Sequence, residues 1–141
     1  MNLREVGELN LLTALLWGEA RGEPLEGKIG VAWVVRNREN KPGWWGVGYT
    51  NVMLKPQQFS CFNLGDPNYH GLLLRILPSR NANMQDPVYR ECRWVAHGVL
   101  GNWVPDPTGE ANHYHAWEIT PYWAKGQRPT ARIGNHFFYK L

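Results

Sequence analysis

Leu9-Asn10-Leu11-Leu12-Thr13-Ala14-Leu15-Leu16-Trp17-Gly18-Glu19 is an apolar run that ends in an acid. Read as a helix, it sets Leu12, Leu15, Leu16 and Glu19 at i, i+3, i+4 and i+7, on one stripe. A globular chain buries such a stripe. Ala20-Arg21-Gly22-Glu23-Pro24 follows at once, with a glycine and a proline that end the helix. A fold that buries this face therefore delivers a carboxyl group to its end, beside a turn that a cleft can reach.

Leucines and a tryptophan around a carboxyl strip its hydration and favour the neutral form, so the pKa of Glu19 is expected to rise. A carboxyl still partly protonated near neutral pH can hand a proton to a leaving group, the donor that glycoside cleavage requires. The plainer alternative is a helix-end charge, capping the exposed end or paired with Arg21. Periodicity does not separate the two readings.

The chain has 141 residues, the size of one domain. Its composition is ordinary for a globular protein except for eight tryptophans. A net charge of +3 suits an anionic partner, cell wall or nucleic acid, but no basic run supports the latter. Cys61 and Cys92 do not make a metal-binding spacing; a disulfide between them stays open, but Cys92 falls on a predicted buried helix face, so a free core thiol is expected. No apolar run reaches the roughly 18 residues of a membrane span. The amino terminus carries Arg4, Glu5 and Glu8 and no signal-peptide core, which points to synthesis in the cytosol without a signal peptide.

A second helix is expected over Leu25–Arg38, apolar round most of its girth, with Arg36 and Arg38 at the negative end of its dipole. Lys41–Gly46 is a loop with adjacent Trp44 and Trp45, and Thr50–Leu54 a short helix before Pro56. Cys61–Gln85 reads as mostly loop around a helix at Gly71–Leu77. Asp86-Pro87 is an N-cap followed by proline at the first helical position, with Tyr89, Cys92, Ala96 and Val99 at helical spacing. His113–Trp117 and Ile133–Tyr139 alternate like two short strands, and Thr120–Ala124 resembles one helical turn between them.

Several groups compete for chemistry. Glu23 lies one turn beyond Glu19, but Gly22 and Pro24 break the geometry; it is a possible assistant, holding Arg21 or a water, or a helix-end charge. Gln58 and Ser60 can hydrogen-bond N-acetyl and hydroxyl groups, or serve turn chemistry, with Phe59 a core anchor. His113 and His115 share a strand face and could ligate zinc with His97, His136 or Glu118, yet no supporting ligand motif accompanies them. Tyr114, facing the other way, is then the cleft candidate that positions substrate or stabilises charge. Asp106-Pro107-Thr108-Gly109 is most simply a turn, and His136 a core histidine. Trp33 and Trp94 lie on helix stripes and are expected in the core. Trp44, Trp45, Trp103 and Trp117 lie in or beside loops as candidate sugar platforms.

Five motifs occur in order along the chain: Trp17-Gly-Glu-Ala-Arg-Gly-Glu-Pro24 with Val31-Ala-Trp-Val-Val-Arg-Asn-Arg38, Gln58–Asn63, Asp106–Gly109, Ala111–His115 and Ile133–Tyr139. Together they resemble the spore cortex-lytic type of cell-wall hydrolase, from about Leu12 to Tyr139. The resemblance implies a lysozyme-like catalytic domain that cuts peptidoglycan glycan strands, and it carries the family's acid onto Glu19. Members with a His-Tyr-His segment include phage and proteobacterial proteins. Glu110 departs from the pattern, standing where the family more often has a second glycine, an extra carboxylate expected near the cleft.

These readings combine into one expectation. The fold is α+β and mainly α, a single compact lysozyme-like domain over residues 1–141 with a small two-stranded β element near its C-terminus. The activity is cleavage between N-acetylmuramic acid and N-acetylglucosamine by a lytic transglycosylase. Glu19 is the catalytic acid, Glu23 and Tyr114 are possible assistants, and Gln58, Ser60, His113, His115, Trp44 and Trp117 bind substrate. No cofactor, metal, nucleic acid or membrane is expected, and the partner is peptidoglycan. A monomeric phage endolysin, made in the host cytoplasm and acting in the periplasm after release, is the expected setting. A muramidase with a second carboxylate, a non-catalytic wall-binding module and a zinc hydrolase are the alternatives.

Overall fold

The computed structural model describes residues 3–56, 58–76 and 85–141. Helix α1 (Glu8–Ala20) is the axis of the fold. Around it pack α2 (Leu25–Asn40), α3 (Tyr49–Leu54), α4 (Tyr69–Ile76) and α5 (Pro87–Leu100). With neighbours on every side, α1 buries Leu11 through Trp17 and Ala20, and not one stripe alone. Its one buried hydroxyl, Thr13 Oγ1, is satisfied by donating to the Leu9 carbonyl at 2.6 Å.

Helix α2 is likewise covered over most of its girth, as its doubled stripe predicts. Gly30 matters here: a Cβ at this position would lie 2.7 Å from Phe138 Cζ, so glycine lets the sheet press directly on the helix. Helix α5 starts where Asp86 and Pro87 predict. Asp86 Oδ1 accepts from the Val88 and Tyr89 N–H groups at 3.0 and 3.3 Å, and Tyr89, Cys92, Val95, Ala96 and Val99 face inward. Trp94 does not: it sits on the outer face at 47% exposure, a correction to its expected core place. The helix predicted around Gly71–Leu77 is α4, though Leu77 and the residues that follow it up to 84 lie outside the described residues.

The β element has three strands, not two: β1 (His113–Ala116), β2 (Ala131–Ile133) and β3 (His136–Tyr139), antiparallel in the order β1-β3-β2. The stretch expected as one strand, Ile133–Tyr139, is a hairpin. Ile133 pairs with His136 across Gly134-Asn135, and Gly134 takes φ +57, the left-handed geometry a tight hairpin needs at that position. The Asp106 turn is as predicted: its Oδ1 accepts from Thr108 N and Oγ1, and Oδ2 from Asn37 Nδ2 and Glu110 N. Glu110, where the resemblance leads one to expect a glycine, has φ +65, a conformation that favours glycine. Cys61 and Cys92 are free and buried. No described helix is long and apolar enough to cross a membrane.

Candidate active site

The last turn of α1 carries Glu19 to one wall of a cleft of about 310 Å3. The loop after α3 supplies Gln58, Phe59 and Ser60, helix α2 supplies Arg38, strand β1 supplies His113 and Tyr114, and the turn before β2 supplies Trp123. Among the described lining residues Glu19 is the only carboxylate.

The environment of Glu19 sets its proton affinity. Burial raises the pKa above the ordinary glutamate value, and the negative charge of Asp66 adds to the rise. Hydrogen bonds from Cys61 and Ser60 pull the other way, chief among them the Cys61 N–H, which donates to Oε1 at 3.1 Å. Burial wins, and the anchored oxygen fixes the carboxyl group's direction. Arg21 is turned away: its guanidinium stacks on Trp17 at 4.2 Å, donates to the Trp17 carbonyl and bonds Asn68. The expected alternative pairing of Arg21 with Glu19 is not what holds this arginine.

Arg38 is the main cleft residue that the sequence did not single out. It lies in the last turn of α2, as expected, but its guanidinium is engaged by other elements: it is 5% exposed, sandwiched against Trp45 and Phe59, with Nε donating to the Asn112 carbonyl at 2.7 Å. Nη1 reaches Gln58 Oε1 at 3.4 Å, which orients that amide at the cleft. Burial lowers its pKa to about 10, so it stays cationic at neutral pH. A signal was present: Val31, Val34, Val35 and Arg38 repeat the i, i+3, i+4, i+7 pattern that singled out Glu19. Arg36 also leaves the dipole role, donating across to the Val99 carbonyl on α5.

The His-Tyr-His segment divides. His113 lines the cleft; burial and then the charge of Arg38 hold its pKa down to about 4, so its ring is neutral. Its Nδ1 lies 2.7 Å from Asn112 Oδ1, an acceptor, which selects the tautomer with the proton on Nδ1. Tyr114 also lines the cleft, near enough to feel Glu19 and Arg38; burial, then the charges of Glu19 and Cys61, push its phenol well above the usual range. His115 does not reach the cleft. Its Nε2 lies 2.9 Å from the Tyr139 hydroxyl, its ring stacks on Tyr139, and it braces the edge of Trp123. Among the described residues no three His, Cys, Asp or Glu side chains converge as metal ligands.

Other candidates fall elsewhere. Glu23 Oε1 accepts from the Asn135 N–H at 2.8 Å and Oε2 from Asn135 Nδ2 at 3.0 Å, tying the α1–α2 turn to the β2–β3 hairpin. It holds neither Arg21 nor a place among the cleft residues. Trp44 and Trp117, both more than half exposed, do not line the cleft. Trp45 is core, its Nε1 donating to the Arg38 carbonyl at 2.9 Å. Glu110 pairs with Lys140 at 3.6 Å beside a different groove. His136 is buried as expected, but its Nδ1 lacks a hydrogen bond, with Glu23 Oε1 3.8 Å away. Trp123, missed in the sequence because its turn has no periodic pattern, is the tryptophan that does line the cleft.

The Cell Wall Hydrolase family's sequence model matches residues 22–139, and the chain belongs to that family. It is similar to the spore cortex-lytic enzymes of Bacillus subtilis, 29% identical over 93% of this chain, and of Halalkalibacterium halodurans, 28% identical over 93%. The chain spans only 37% and 34% of those proteins' lengths. In fold it resembles the catalytic domain of the germination-specific lytic transglycosylase SleB from Bacillus anthracis, with a TM-score of 0.70, 24% identity, and coverage of 94% of this chain and 93% of that one. The catalytic domain of the Bacillus cereus SleB protein gives a TM-score of 0.71 at 25% identity, covering 94% and 89%.

Proposed function

We propose that this domain cleaves peptidoglycan glycan strands between N-acetylmuramic acid and N-acetylglucosamine as a lytic transglycosylase, with Glu19 as general acid and then base. The observation that carries this reading is that, among the described residues, one carboxyl, held partly dry and aimed by the Cys61 N–H, stands in a cleft otherwise lined by neutral or cationic groups. Protonated Glu19 gives its proton to the leaving O4 as the glycosidic bond breaks. The sugar's N-acetyl group or the surrounding dipoles stabilise the oxocarbenium. Glu19, now a carboxylate, takes the proton of the C6 hydroxyl, whose oxygen closes the 1,6-anhydro ring. Atoms balance without water.

A two-acid hydrolase needs a second carboxylate roughly 5–9.5 Å from the first, flanking the bond. Asp66 acts on Glu19 through its charge but is not among the cleft residues, so the one-acid route is favoured. Gln58, Ser60 and His113 serve as hydrogen-bonding partners for N-acetyl and hydroxyl groups, Tyr114 positions substrate beside the acid, and Trp123 offers a sugar-stacking face. Mass spectrometry of digested sacculi tests the chemistry. Anhydro-muramic ends absent with Glu19→Gln are expected; reducing ends make it a muramidase, and cut peptides refute glycan cleavage.

As a setting we propose a monomeric phage endolysin that reaches the wall from the host cytoplasm. The resemblance of the His113-Tyr114-His115 branch to phage members motivates it. Failure of the purified protein to lyse outer-membrane-stripped bacteria counts against this setting.

A further inference from the structure

Far from the cleft, the outer face of α5 presents a pattern that the reaction does not use. Arg90, Arg93, Trp94 and His97 stand at i, i+3, i+4 and i+7 and, with Leu9, line an open groove of about 380 Å3. Leu9 and Glu19 lie near opposite ends of α1, ten residues apart in number, which is about 15 Å of helix. The groove shares no lining residue with the cleft.

Two large aromatic rings are exposed here at a cost in hydration, Trp94 at 47% and Trp103 at 50%. Neither is a loose surface side chain. Their centroids are 5.1 Å apart, edge to face at 81°, and the His97 ring lies against Trp103. Trp103 is seated on Gly98 and Gly101: a Cβ at either position would come within 3.2 Å of the indole. The two glycines at the helix end let the indole lie directly against the backbone, Gly98 making room for Val104 as well, and an aromatic packed in this way binds with less loss of side-chain entropy.

The charge of the patch is positive. Glu91, the acid between the arginines in sequence, is drawn off to Lys28 at 2.9 Å. Arg93 Nη1 donates to Asn10 Oδ1 at 2.7 Å, which fixes the guanidinium and leaves other N–H donors for a ligand. A stacking surface beside two guanidiniums, one of them fixed, matches a saccharide that carries carboxylates. We infer that this face of α5 is a second, non-catalytic binding site for the anionic glycan strand of the wall. Trp94 and Trp103 contact sugar rings, and Arg90 and Arg93 meet the carboxylates of the stem peptides, or of muramic acid where it carries no peptide. A strand held there keeps the domain on an insoluble polymer between cuts.

The inference rests on peptidoglycan being the substrate, so its test separates binding from cleavage. In a Glu19→Gln background, pelleting with purified sacculi is compared for the parent, Trp94→Ala and the Arg90→Gln/Arg93→Gln pair. Each change is expected to weaken pelleting about tenfold, equivalent to about 1.4 kcal/mol. With Glu19 intact, the same changes leave turnover of a short soluble glycan unchanged while slowing solubilisation of sacculi. Trp94→Phe, which keeps a flat ring, restores most of the binding, and unchanged melting temperatures show that the variants fold. Pelleting equal to the parent, or short-glycan turnover falling in step, overturns the site. So does equally patch-dependent pelleting with anionic lipid vesicles, which would make the patch a membrane contact. Cleavage of sacculi without patch-dependent pelleting sinks this inference alone, whereas absence of cleavage alongside patch-dependent pelleting sinks the catalytic reading alone.

Discussion

Gly18→Ala tests whether the catalytic carboxyl is aimed by packing. The added methyl would lie 2.5 Å from Cys61 Cβ, 2.9 Å from Cys61 Sγ and 3.4 Å from Leu72 Cδ1. Carbon atoms rest at about 3.5–4.0 Å, so Cys61 must retreat by about 1 Å. The nearest atom is a Cβ one bond from the main chain, not the end of a flexible side chain, so backbone moves. The same backbone carries the N–H that bonds Glu19 Oε1 at 3.1 Å; a retreat of about 1 Å opens that contact to about 4 Å, where no hydrogen bond remains. Two effects follow. Overpacking costs about 1–3 kcal/mol, or about 3–9 °C in melting temperature for a domain of this size. The lost donor was lowering the Glu19 pKa, so the pKa climbs further and the alkaline limb of kcat moves to higher pH. Thermal melts and a pH–rate profile on sacculi measure both. Gly22→Ala, where a Cβ meets nothing within 4 Å, is the control, and Cys61→Gly in the Gly18→Ala background recovers part of the stability. A Gly18→Ala protein that melts with wild type and keeps its pH profile refutes the reasoning.

Glu19→Gln abolishes cleavage, with a loss of about 100-fold or more expected for a general acid. Because the folded state raises the pKa of Glu19, it holds that proton more tightly than the unfolded chain, and the stability fully present below the ordinary glutamate pKa is lost as pH rises through the raised one. The melting-temperature difference between Glu19→Gln and wild type should therefore move in favour of the variant from pH 4 to pH 8; a constant difference counts against a buried acid. Glu23→Ala removes both bonds to Asn135 and should cost about 1.5–3 kcal/mol, while the folded fraction still cleaves; an inactive but stable variant would return Glu23 to the chemistry. His113 should titrate in NMR spectra with a midpoint of about 4. Its folded pKa lies below the unfolded value, so its contribution to stability falls as pH drops from about 6.5 through 4. A midpoint near 6.5 would mean that neither burial nor Arg38 acts on it.

Much of this molecule is legible in the chain because it is local. Helical spacing and caps act within a few residues, so Asp86-Pro87 starts α5 and Leu12, Leu15, Leu16 and Glu19 line up before any tertiary contact exists. Alternation marked the strands, but a two-residue turn inside Ile133–Tyr139 hid a hairpin, since Gly134 reads equally as a weak strand residue. The tryptophans could not be sorted: Trp44 and Trp45 are neighbours with one composition around them, yet one is exposed and the other buried on the Arg38 carbonyl.

By itself, then, the sequence determined which segments become helices, and that one of them ends its buried face in a carboxyl. Only the tertiary structure decided what that carboxyl meets. The Cys61 N–H lies 42 positions away from Glu19, and Asn112, which anchors the cleft guanidinium of Arg38, lies 74 positions from that residue. Periodicity describes one element at a time. The dielectric and the hydrogen bonds that set a proton's affinity come from other elements, and their packing places them.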